Sequence, residues 1–174
     1  MSVGSSLKVI SIFQRGSIVS KYDIERAIDK LLNEGSWGVR RIYPQWKEGD
    51  SPPEGWHRHP NGGGLVQDTA TVDETAYVGP RASVFGTASL LKRARVDDDA
   101  DIYGNATVTD DAEIYDRGDV YGDAEVSGNA KVYDDGNVGG NARVKGDAHI
   151  HGISRIYGNQ IITTGHFTRP EHSV

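Results

Sequence analysis

The chain has 174 residues, no cysteine and a formal net charge of −6, a size that suits one ordinary domain or a domain with a small companion. The lack of cysteine excludes a disulfide framework, a thiolate zinc site and a cysteine nucleophile. No apolar run approaches the roughly 18 residues of a membrane helix, and the start, MSVGSSLKVISIF, lacks the basic opening and long apolar core of a secretory signal. A cytoplasmic protein with no membrane contact is expected.

Residues 1–46 read as a small α+β part. Lys8–Phe13 alternates as a short strand. Ser20 can cap a helix with Asp23 three residues on. Ile24, Ala27, Ile28, Leu31 and Leu32 then form one apolar helical stripe, ended by Gly35. Val39–Tyr43 reads as a second strand. Residues 47–64 (KEGDSPPEGWHRHPNGGG) have the composition of a linker, and Asn61–Gly64 is a turn without the strand-to-helix setting of a phosphate loop. Trp37, Trp46 and Trp56 are expected to serve local packing. The whole part is too small for a large core, so it is expected to cover the open end of the repeat region C-terminal to it or to meet a partner.

From residue 65 to 167 the grammar changes. Every sixth residue from Val66 to Ile162 is Val, Ile or Leu, 17 positions without exception, and four places after most of them stands Ala or Gly. Even spacing puts both on one face of an extended segment. The branched residue fills a core and the small one lets the chain turn a corner. The Gly, Asn and Asp between them tolerate turn conformations. Side chains also recur at 18: Phe85-Gly86, Tyr103-Gly104, Tyr121-Gly122, Gly139-Gly140 and Tyr157-Gly158 form one column, and Tyr115-Asp116, Tyr133-Asp134 and His151-Gly152 another. A period of 18 organising a period of 6 predicts a mainly β, parallel solenoid with three six-residue edges per coil and about six coils. Residues 168–174 are left as a tail.

This pattern resembles the left-handed β-helix of the hexapeptide-repeat proteins, whose motif is an aliphatic residue followed four places later by a small one. The variant here, V-x-G-N-A as in Ile102-Tyr103-Gly104-Asn105-Ala106, resembles repeat proteins of phages and prophages. The left hand comes from that resemblance, which also makes a homotrimer the leading oligomer. Phe85, Tyr103, Tyr121 and Tyr157 are expected to form an apolar ridge for that contact.

Charge is unevenly spread. Residues 97–135 hold thirteen acids against Arg117 and Lys131. Asp97, Asp98, Asp99, Asp110, Asp111, Asp116, Asp134 and Asp135 fall at corners of neighbouring coils, which suggests an anionic surface for a Lys/Arg-rich protein partner. The rival reading is a solvated shaft with Asp chosen for its turn preference. Direct binding of nucleic acid is not expected, because phosphate would be repelled.

Hexapeptide-repeat enzymes include acyltransferases with a histidine base between subunits, and their relatives include a zinc enzyme with three His ligands. His149 and His151 flank inward Ile150 and should both face outward. No third His has the family's zinc spacing, and the repeats carry no inserted loop to wall a substrate pocket. The expectation is therefore no catalytic residue, no metal and no cofactor. The leading function is a non-enzymatic, phage- or prophage-encoded binding protein that meets a basic surface of a host protein. An acyltransferase and a structural rod or assembly element are the alternatives.

Overall fold

A computed structural model of the protein describes residues 51, 52 and 54–169. The strands and helix expected between Lys8 and Tyr43, with Trp37 and Trp46, lie outside the described residues, as do residues 170–174. The described chain is all strand, turn and bend, with no helix, and so none long and apolar enough to cross a membrane.

The strands in chain order open with β1 (Trp56–Arg58), β2 (Leu65–Gln67), β3 (Thr71–Val72), β4 (Tyr77–Val78), β5 (Ser83–Val84) and β6 (Ser89–Leu90). Next come β7 (Arg95–Val96), β8 (Asp101–Ile102), β9 (Thr107–Val108), β10 (Glu113–Ile114), β11 (Asp119–Val120) and β12 (Glu125–Val126). The last are β13 (Lys131–Val132), β14 (Asn137–Val138), β15 (Arg143–Gly152), β16 (Arg155–Ile156) and β17 (Ile161–Arg169). One face of the solenoid runs β1-β2-β5-β8-β11-β14-β16. The other two, β3-β6-β9-β12 and β4-β7-β10-β13, are joined by β15, which pairs with both.

Strands stack in parallel with a register of one 18-residue coil, as in Asp101↔Asp119, Thr107↔Glu125 and Glu113↔Lys131. The register follows from the pattern. With a period of two within each short strand, a slip of one residue would turn every aliphatic residue outward, so the pairing holds the phase of the hexads. Val84, Leu90, Val96, Ile102, Val108, Ile114, Val120, Val126, Val132, Val138, Val144 and Ile150 are all 0% exposed. The small residues beside them, from Ala76 to Ala148, are buried too. Each buried branched side chain contributes about 1.5–3 kcal/mol, so every complete coil adds a similar increment to the same core.

The corners explain the V-x-G spelling. The second residue after the aliphatic one takes a left-handed conformation, with φ of 70° at Gly122. A Cβ at Gly122 would lie 3.0 Å from the backbone nitrogen of Gly140 in the next coil. Elsewhere the same position holds Lys92, Asp98, Asp110, Asp116 and Asp134, with φ between 54° and 66°. Such a conformation costs a residue with a β-carbon about 1–2 kcal/mol, and Asp bears it better than most.

Both ends depart from the sequence reading. Trp56–Arg58 lies in the stretch read as a linker, yet it forms β1 and pairs antiparallel with β2. The reason is an apolar target: Trp56 is buried against Leu65 and Phe85. The following turn continues the cover. The Asn61 carbonyl accepts the Val78 N–H (3.1 Å), and the Gly64 N–H donates to the Val78 carbonyl (2.9 Å). At the other end, strand structure runs on to Arg169, two residues past the expected limit. Pairing of β17 with β15 slips between Val144↔Ile162 and Asp147↔Thr164, so the last coil is one residue short. Ile162 and Phe167 still pack against the core, closing its end.

Candidate interaction surface

The eight corner acids sit on two different corners. Asp97, Asp98, Asp99, Asp116, Asp134 and Asp135 follow the β4-β7-β10-β13 face, whereas Asp110 and Asp111 follow β9. They are therefore not one patch. Most are also paired, by cations the sequence window excluded or placed elsewhere. Arg81 Nε donates to Asp99 (3.0 Å) and its Nη2 lies 3.4 Å from Asp98. Arg93 grips Asp111 through two bonds of 2.7 Å, and Arg117 grips Asp135 at 2.7 and 2.6 Å. Lys92 pairs with Asp110, and Arg95 with Asp97. Lys131 Nζ reaches Glu113 at 2.8 Å. All but the Arg95–Asp97 and Arg81–Asp98 pairs join residues 18 apart. The signal was therefore present as opposite charges at i and i+18, which a linear charge window cannot see.

The left-handed corner acids have a further task. Asp134 Oδ2 accepts the Gly152 N–H (3.0 Å), Asp116 Oδ2 the Asp134 N–H (3.3 Å), and Asp98 Oδ2 the Asp116 N–H (3.4 Å). Asp110 Oδ2 accepts the Gly128 N–H (3.1 Å). Each carboxylate thus satisfies a corner N–H of the next coil. Bonds from Lys92, then from Gly128, hold the Asp110 carboxyl below its usual range, and the Arg93 bond does the same for Asp111. The residues Asn105, Asp123, Asn129 and Asp147 repeat the theme, with Asn105 donating to Asp123 (2.8 Å) and Asn129 to Asp147 (2.9 Å). Among the described residues, Asp116 and Asp134 have no Lys or Arg nitrogen within 4.0 Å; the nearest imidazole, His151 Nδ1, is 3.9 Å from Asp134.

The aromatic ridge is a stack along the shaft. Phe85 and Tyr103 are 5.0 Å apart and inclined by 4°, and Tyr103 and Tyr121 are 5.1 Å apart and inclined by 7°. Trp56 adds a tilted ring at 6.0 Å from Phe85, a member the sequence reading did not place there. Gly139 interrupts the column. The Tyr121 ring bends over it, where a Cβ would lie 2.6 Å from Cζ, and meets Tyr157 edge-on at 6.2 Å. Burial first, and then the bond to Tyr157, push the Tyr121 phenol pKa upward. Stacking covers most of the ridge: Phe85 is 8% exposed and Tyr157 is 39% exposed.

A second stack forms beside the corner acids Asp116 and Asp134, which follow its tyrosines in the chain. Tyr115, Tyr133 and His151 lie parallel at successive spacings of 5.0 Å. His149 and His151 flank buried Ile150, as the alternation predicts. His166 joins them from β17. Nearer the first coil, His57 Nδ1 lies 2.8 Å from Asp68, and His59 is buried with Nδ1 3.1 Å from the Asn61 carbonyl. Among the described residues no group of three or more His, Asp or Glu is arranged to hold a metal ion.

No curated protein and no solved structure matches the chain. Residues 100–116 match the family model of the YdcK β-solenoid repeat, and that span runs from Ala100 through β8, β9 and β10 to the corner at Asp116, so what the chain is similar to is the repeat itself.

Proposed function

We propose that this protein is a non-enzymatic structural element that assembles with further copies of itself through the side of its shaft. A β-solenoid repeat fold fits a structural or assembly role. The observation that carries the reading is the axial pairing of outward side chains. Aromatic rings, Asn–Asp pairs and Arg–Asp pairs link each coil to the next, so the outward groups brace the rod along its length. The edges of the Phe85–Tyr157 stack are the apolar surface left for a second copy, and the resemblance to hexapeptide-repeat proteins favours a homotrimer. Sedimentation velocity across the micromolar range tests this. A trimer that dissociates on dilution is expected, whereas a monomer at every concentration overturns it.

A second reading is favoured by the column Asp98, Asp116 and Asp134, of which the last two lie beyond ion-pair distance of any described Lys or Arg. That column supports contact with a Lys/Arg-rich protein surface. The resemblance of the V-x-G-N-A repeats to phage proteins supports a host protein as its source. Binding of a lysine-rich peptide at low and moderate salt is the test. Asn is the clean replacement at all three positions, since it tolerates the left-handed corner and keeps an acceptor. Equal binding by the triple Asn variant and the wild type would remove this reading and leave the first.

A further inference from the structure

The last coil holds a cluster that neither reading uses. His149 and His151 lie on β15, and His166 lies beside His149 on β17. Ring centroids are 4.4 Å apart for His149–His166 and 5.8 Å for His151–His166. His151 lies flat on Tyr133, and its Nε2 is buried without a hydrogen-bond partner among the described residues. The same strand pair closes the solenoid: Ile162 sits over Val144 and Phe167 over Ile150. Its other anchor is the Ser154 hydroxyl, which donates to the Phe167 carbonyl at 2.8 Å.

We propose that β17 is a pH-sensitive end cap of the solenoid, docked on β15 at neutral pH and loosened in acid, when positive charge gathers where His149 faces His166 across the strand pair. Two imidazolium ions at His149 and His166 would be like charges directly opposed across a strand pair, an arrangement that disfavours pairing. The neighbouring β13 supplies Lys131, in register with His149, as a third positive group, itself bonded to Glu113. It also supplies the neutral Tyr133 phenol. Among the described residues, Asp134 and Asp147 supply counter-charge. Asp134 lies 3.9 Å from His151 Nδ1 but already accepts the Gly152 N–H, and Asp147 lies on β15 itself. On β17, His166 is flanked by Gly165 and Phe167, neither of which can neutralise it.

The sign follows from His149. Burial, then His166, Lys131 and His151, hold its pKa below the ordinary imidazole value, with Asp147 opposing. The docked coil therefore binds fewer protons than the released one. Its stability is complete above the ordinary value of about 6.5 and is lost as the pH falls below it. Because β17 pairs with β15 alone among the described strands, the loss is a local opening.

Hydrogen exchange of the full chain tests the proposal at about pH 7.5 and about pH 5.5, with rates normalised to intrinsic exchange. Protection over residues 161–169 is expected to fall about tenfold in the acid sample, while β11 stays unchanged. The double variant His149→Gln, His166→Gln is expected to show the same protection at both pH values. If that variant weakens β17 throughout, the ratio between the two pH values remains the readout. A wild-type ratio near one, a full acid drop in the double variant, or an equal drop in β11 would each overturn the proposal.

Discussion

Val120 and Asp119 are adjacent in the chain and opposite in environment, so they test the register at single-residue resolution. Val120 is 0% exposed, on a strand with coils above and below it. Val120→Ala removes the equivalent of two methylenes, about 1.6 kcal/mol of transfer energy, and the cavity raises the cost to about 2–3 kcal/mol. Val120→Thr keeps the shape but buries a hydroxyl, at about 1–3 kcal/mol. Val120→Asp loses the whole valine burial and strands a carboxylate, several kcal/mol more. That sum approaches the total stability of a domain, about 5–15 kcal/mol. Asp119 lies outward between Asp101 and Asn137. Asp119→Asn lowers charge against Asp101 and should stay within about 0.5 kcal/mol of wild type. Urea unfolding followed by circular dichroism gives the order Asp119→Asn, then Ala and Thr at 120, with Val120→Asp lowest or unfolded. Coincident midpoints for Asp119→Asn and Val120→Asp would refute the inward register.

At the corners, Gly122→Ala should cost about 1–3 kcal/mol, because it combines a left-handed φ with a Cβ pressed on Gly140; Asp134→Gly, which loses a carboxylate bond but relaxes its φ, should cost less by the same urea assay. The carboxyls of Asp110 and Asp111 have depressed pKa values, so their contribution is present above the ordinary carboxylate value of about 3.9 and is lost as pH falls below it. Melting points recorded through that acid range should decline less steeply in Asp111→Asn than in wild type. The Tyr115 phenol pKa is pushed up to about 12, first by burial and then by Tyr133, so ultraviolet titration should find Tyr115 and Tyr121 ionising well after exposed tyrosines, with the Tyr115 step shifting downward in Tyr133→Leu.

The aliphatic column was legible because the core has no alternative: one slip in the period would turn Val120 and its equivalents outward. The left-handed corners were legible for a related reason, since Gly104 and Gly122 stand where a positive φ and a close backbone both disfavour a β-carbon. Three features were not. Arg81, Arg93 and Arg117 meet their acids 18 residues on, a distance that any window along the chain averages away. Trp56 looked like part of a Pro/Gly-rich linker, because the partner that makes it a strand residue, Phe85, is remote in sequence. His166 joins His149 only because the last coil drops one residue after Val144, and strict counting by 18 would have brought Phe167 there. Tyr121 bending over Gly139 belongs to the same class, as a gap in one coil filled by a side chain from the coil before.

The claim that the 18-residue ladders, and not the hexads alone, brace the shaft can be tested by deletion. Removing residues 119–136 takes out one full coil and restores every column, with Asn137 following Gly118 and paired to Asp101. Removing residues 119–124 keeps the aliphatic period of six but shifts all later coils by one edge. It sets Ser127 over Tyr103, Gly139 over Tyr115 and Asn141 beside Arg117. Stacked ring pairs are worth about 0.5–1.5 kcal/mol each, so the six-residue deletion should unfold at distinctly lower urea than the 18-residue deletion, although it leaves the longer chain. Equal midpoints for the two, or a more stable six-residue deletion, would contradict the ladders as the bracing element.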